Sequence, residues 1–185
     1  SGDPAYVAVS DDEGQTWTAS APLAKSEAYC DSWTFPWSLF AVPEQPGTLL
    51  VGAQHHCEPL PHPGNLYRSA DYGAHWQRVY TYTYHAYEMP IGFAAHPVTP
   101  TTLYAAIPNG EDGLMRSTNA GQTWKRIGES YAGMAFAQSV AVEPHPPYRI
   151  FVLTDWQSPH LYVGEEPGRT WTEVVAPPDP PNVSQ

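Results

Sequence analysis

The sequence predicts an all-β fold assembled from repeated, four-stranded antiparallel units. Three observations predict it. A turn motif recurs four times at a near-constant spacing, a proline-punctuated apolar run precedes the last three recurrences, and no window shows the hydrophobic period of a helix.

The turn motif reads Ser, any residue, Asp or Asn, any, Gly, any, Thr or His, Trp. Its first occurrence is Ser10, Asp12, Gly14, Thr16 and Trp17, and its second is Ser69, Asp71, Gly73, His75 and Trp76. The third is Ser117, Asn119, Gly121, Thr123 and Trp124. A fourth keeps only Gly168, Thr170 and Trp171, with Gly164 and Glu166 at the serine and aspartate positions. The tryptophans stand 59, 48 and 47 residues apart, which marks repeated structural units rather than four separate sites.

Upstream of the last three turns come "AVPEQPGTLL", "AHPVTPTTLY" and "VEPHPPYRIF", in which Pro43, Pro97 and Pro144 correspond, as do Leu49, Leu103 and Ile150. Each repeat divides into four short apolar or alternating runs between Pro/Gly/Asn/Asp turns, the pattern of four antiparallel strands. In the third repeat these are about 92–96, 102–107, 114–117 and 123–127. One such sheet cannot bury its own faces, so sheets must stack, and radial stacking makes a β-propeller.

The repeated turn joins the third strand to the outermost fourth. Its Asp or Asn oxygen accepts backbone N–H groups, its glycine supplies positive φ, and its tryptophan starts the fourth strand and packs between sheets. On these residues the chain resembles the Asp-box (bacterial neuraminidase repeat) β-propellers, a superfamily of sialidases, xyloglucan-cleaving glycosidases, sortilin-type receptors and a photosystem II assembly factor. The resemblance covers residues 1–176: a half-blade at 4–19 and blades at about 37–80, 91–128 and 138–175. A Pro-rich tail follows at 177–185. "AYVAVSDDEGQTWTAS" matches only the third and fourth strands of a repeat, so either further upstream blades or a second copy of the chain completes the ring.

The resemblance implies that function sits on the face opposite the box turns. The loops there, about 20–36, 53–65, 80–90, 107–113, 128–137 and 154–160, are rich in aromatic rings and carboxylates. Trp33, Tyr82, Tyr84 and Trp156 are the candidate ligand-binding residues, because broad rings beside acceptors suit a sugar; the alternative is that they pack loop on loop. Asp31 and Asp155, each adjoining a tryptophan-bearing segment, are the candidate carboxylate pair for glycoside hydrolysis. Sialidase chemistry needs an arginine cluster, yet only Lys25 is left for these loops. A non-catalytic binding or assembly module, with a glycan or protein as ligand, is therefore the leading expectation. A glycoside hydrolase is the alternative.

With 19 acidic and 8 basic residues the formal charge is −11, which disfavours nucleic acid and anionic membrane as partners. No run of 18 apolar residues suggests membrane insertion, and no cofactor motif is present. "QHHCEP" offers His55, His56 and Cys57, with Cys30 or His62, to zinc. Adjacent histidines on an extended segment point oppositely, and no paired ligand spacing occurs, so no metal is expected. Cys30 and Cys57 fall on loops bounding one repeat, and in a fold of this exported type they are expected to be bridged, in an extracellular or periplasmic setting; two unpaired thiols in a cytoplasmic protein is the other reading. Thiol titration of the unfolded, unreduced protein should find no free thiol, the bridge stabilising the fold by about 3 kcal/mol. Two free thiols would overturn it.

Overall fold

A computed structural model describes residues 5–23, 34–55, 62–84, 91–129, 131–154 and 160–174. Among these residues fourteen strands form one two-stranded and three four-stranded sheets. β1 (Ala8–Val9) and β2 (Thr18–Ala19) make the half-blade. The first full sheet is β3 (Thr34–Ala41), β4 (Leu49–His55), β5 (His62–Ser69) and β6 (Gln77–Tyr84). The second is β7 (Gly92–Ala95), β8 (Leu103–Ile107), β9 (Gly113–Ser117) and β10 (Lys125–Arg126). The third is β11 (Ala137–Val142), β12 (Ile150–Thr154), β13 (His160–Gly164) and β14 (Trp171–Val174). Every strand pairs antiparallel with its neighbours in sequence, so each sheet is a simple meander.

The proline-punctuated runs close the hairpin between first and second strands. Val42 N–H donates to Thr48 O, His96 N–H to Thr102 O and Glu143 N–H to Arg149 O, at 3.0, 2.9 and 2.8 Å. The second strands of the first two full sheets are apolar on both faces because each is sandwiched between neighbouring sheets. In β8, Leu103, Ala105 and Ile107 pack toward the first full sheet, while Tyr104 and Ala106 pack toward the third. All five are fully buried.

Three of the expected loops depart from the sequence reading. The loops expected at 53–65 and 80–90 are shorter, because β4 continues to His55, β5 starts at His62 and β6 runs on to Tyr84. The run Val79 to Tyr84 alternates β-branched and aromatic residues, which favours a pleated strand over a loop. The expected 128–137 loop contains a short 3-10 turn, Ala132–Phe136, whose Met134 joins the core between the second and third sheets.

Box glycines separate conformational demand from packing demand. Gly14 and Gly121 have φ +85° and +79°, but an added Cβ at 14 would meet only its own Trp17 at 3.6 Å, whereas at 121 it would lie 2.7 Å from Leu50 of the preceding sheet. Gly14→Ala should therefore cost about 1–2 kcal/mol from backbone strain. Gly121→Ala should add a further penalty of about 1–3 kcal/mol from overpacking. Urea denaturation of the two variants checks this, and equal losses would remove the packing argument.

Candidate functional site

The first three box turns are held by the same hydrogen bonds. Ser10 Oγ donates to Asp12 Oδ1 and accepts from Gly14 N–H, at 2.9 and 2.8 Å, while Asp12 Oδ1 accepts from Thr16 N–H at 2.8 Å. Ser69 and Asp71 do likewise for Gly73 and His75, and Ser117 and Asn119 for Gly121 and Thr123. Trp17 and Trp124 each donate Nε1–H back to the carbonyl of their own box glycine at 3.1 Å. Both aspartates hold their carboxyls down at about 2, against an ordinary value of 3.8. In Asp12 the main cause is the Thr16 hydroxyl, and in Asp71 it is the His75 ring at 2.7 Å.

The fourth turn works differently. A Cβ at Gly164 would sit 2.7 Å from the Trp171 ring, so the box serine has no room there. Glu166, in the aspartate position, leaves its own turn and accepts hydrogen bonds from the Tyr104 hydroxyl of β8 and the Arg116 guanidinium of β9. Burial pushes the Tyr104 hydroxyl up, and Glu166 beside it acts in the same direction. The preceding sheet also reaches the third box, where Arg68 Nε donates to Ala120 O at 2.7 Å. Arg68 and Arg116 both stand immediately before a box serine. Two successive sheets thus send an arginine forward onto the next box.

Each later tryptophan packs on the sheet before it. Trp76 joins Val7 and Leu23, Trp124 joins Leu50 and Leu66, and Trp171 joins Tyr104 and Leu114. Trp171 is only 5% exposed, while Trp17, with no sheet before it among the described residues, is 63% exposed. Beside this bare half-blade, a cavity of about 280 Å³ is lined by Tyr6, Val7, Pro36, Trp37 and Leu39. Leu39 is 57% exposed. At the far end, Leu153 of β12 and Val174 of β14 lie open on the outer face of the last sheet. Val163 occupies the position that carries arginine in the two preceding repeats.

On the opposite face the described rings are mostly engaged. The Tyr82 ring is 5% exposed and covers Gly64, so it is core in this structure rather than a surface offered to a sugar. Tyr80 donates to Asp112 Oδ1 at 2.5 Å, and Tyr131 accepts from Trp171 N–H at 3.1 Å. Tyr84 closes β6. Trp33, Trp156, Asp31, Asp155, Cys30 and Cys57 lie outside the described residues. Among the described residues no group of three metal-ligating side chains occurs, and no helix is long and apolar enough to cross a membrane.

Sequence reasoning missed the Arg116–Glu166–Tyr104 clasp. Its signal was legible: an arginine precedes the box serine in two repeats, and the fourth box departs from the pattern.

Asp71→Asn should keep the turn, since Asn119 holds the third box by the same bonds. Because the Asp71 carboxyl is depressed in the fold, its contribution is complete above about pH 4 and is lost as pH falls toward 2. The variant should therefore show a weaker loss of stability than the parent over that range in acid titrations followed by circular dichroism. An unchanged acid profile would contradict the assignment.

The BNR/Asp-box repeat family model matches residues 8–19. No curated protein matches the chain. Among solved structures, the GH74 xyloglucanase from Xanthomonas campestris aligns over 77% of this chain and 24% of its own, at 21% identity and TM-score 0.53. YCF48 bound to a D1 peptide aligns over 90% of this chain and 45% of its own, at 14% identity and TM-score 0.48. The chain thus spans about a quarter of the first and less than half of the second, and the likeness to the first is one of fold. Three turns held by the box residues and a fourth that keeps its glycine, threonine and tryptophan, on stacked four-stranded antiparallel meanders, give this chain the fold of an open β-propeller segment with Asp-box turns, three full blades and a half-blade among the described residues.

Proposed function

We propose that this chain is a non-catalytic assembly and binding module whose bare half-blade docks a further propeller sheet. The observation that carries this reading is the contrast between Trp17 and Trp171, the same box residue at 63% and 5% exposure. Three box tryptophans are covered by an aliphatic sheet on the preceding side, and the first presents the same surface uncovered. Large uncovered apolar patches are normally buried by a partner. The occupant that fits is a sheet bearing aliphatic side chains, and an arginine placed as in β5 and β9 gives the best match. It is supplied by the same polypeptide or by a second copy.

The carbohydrate-binding reading rests on Trp33, Tyr84 and Trp156, since Tyr82 is committed to the core. Glycoside hydrolysis through Asp31 and Asp155 is the competing class. Turnover of aryl glycosides or xyloglucan oligosaccharides that is lost in Asp31→Asn or Asp155→Asn would replace the present reading.

Trp171→Ala should cost about 3–5 kcal/mol as a core truncation. Trp17→Ser, at an exposed site, should stay within about 0.5 kcal/mol and yet abolish concentration-dependent association in light scattering. A monomeric mass for the parent chain across a wide concentration range would count against assembly through this face.

A further inference from the structure

The acidic character of this protein has one local exception. Of its eight lysines and arginines, four line a single cleft of about 530 Å³: Arg116, Lys125, Arg126 and Arg169. The cleft runs between β10 and the fourth box turn, Trp124 and Tyr131 contribute rings to its walls, and Glu129 is the one acid among its lining residues. Arg116 is paired with Glu166 through Nη2, while its buried Nε has no hydrogen-bond partner. No described carboxylate forms an ion pair with Lys125, Arg126 or Arg169. The formal charge of −11 on the whole chain does not cancel this local concentration of cations, because charges separated by more than about 8 Å are largely screened at physiological salt.

The floor of the cleft adds a second kind of complementarity. β10 is the last strand of its sheet, so one of its edges has no strand beside it among the described residues. Ile127 N–H donates to Leu114 O, and Lys125 faces Arg116 in register. The alternation of an antiparallel ladder therefore turns the backbone N–H and C=O of Arg126 outward, away from β9. An open edge of this kind is a template for a further extended chain. A polysaccharide supplies anions but cannot complete such a ladder, whereas a peptide supplies both.

We propose that this cleft is a docking site for an acidic peptide segment, which adds as a strand along the free edge of β10 while its carboxylates meet Lys125 and Arg169. The site lies on the flank between the second and third full sheets, and it is independent of assembly through the half-blade. Carboxylates paired with lysine and arginine form charge-assisted hydrogen bonds, the stronger class of such contacts. The main-chain ladder supplies the rest of the affinity, as in other cases of strand addition.

The test uses fluorescence anisotropy with a labelled octapeptide of alternating threonine and glutamate, titrated with the full chain. Binding should weaken as salt rises, and Lys125→Glu with Arg169→Glu should lower affinity roughly tenfold or more, since both residues are exposed and hydrogen bonds to charged groups are involved. Arg149→Glu, at an exposed pair with Glu143 that does not line the cleft, should leave affinity unchanged. The same peptide with alternate amides N-methylated keeps every charge and should lose most of its affinity. Equal binding of the methylated peptide would overturn strand addition. So would absence of peptide binding, or binding of polygalacturonate in its place. Matching thermal melts for the parent and the double variant establish that the fold is intact.

Discussion

The stack depends on one contact, the seating of each box turn against the sheet that precedes it. The tryptophan and glycine of the turn provide a flat apolar step, and the preceding sheet fills it with Leu50, Leu66, Leu114 or Ile127. Hydrogen bonds inside the turn do little for inter-sheet contact directly. They fix the geometry of the step, so that buried aliphatic groups meet it without voids. The motif is thus conformational on one side and adhesive on the other, which explains why the tryptophan survives in the fourth repeat although the serine and aspartate do not.

The loss of the aspartate in that repeat is compensated elsewhere. Glu166 exchanges a local role for a long-range one, tying the fourth turn to β8 and β9 through Tyr104 and Arg116. Half-buried polar groups are best held when each finds a partner, and this trio satisfies two donors with one carboxylate. The equivalent arginine in the previous repeat reaches a backbone carbonyl instead, so one sequence position serves two different partners.

Much of the architecture was legible because it follows from short-range rules. Four box turns, three Pro-x-x-Pro hairpins and the alternating strands fixed the sheets and their order from residue spacing alone. The extension of β6 is harder to see, because a cluster such as Tyr80, Tyr82 and Tyr84 suits an aromatic loop, although its alternation with valine and threonines satisfies a pleated strand equally well. Burial of the Tyr82 ring depends on Gly64 lying opposite it across the β5–β6 ladder, a pairing set by register. The cationic cleft was less accessible still. Its four cations are spread from position 116 to position 169, and only the stacking of two sheets gathers them.

The contact that builds the stack has direction. A box face on one sheet receives the opposite face of its predecessor, so the two surfaces that meet are never the same. Addition of copies by this rule is heterologous, head to tail, and it closes into a ring only when the rotation per sheet divides a full turn. A two-fold dimer would have to use different chemistry. Val163 bears on this directly: where β5 and β9 send an arginine to the next box, the last sheet offers an aliphatic side chain. A neighbour placed after it in the same sense would be held by apolar contact without an arginine latch, as the first full sheet is where it follows Val9 of the half-blade.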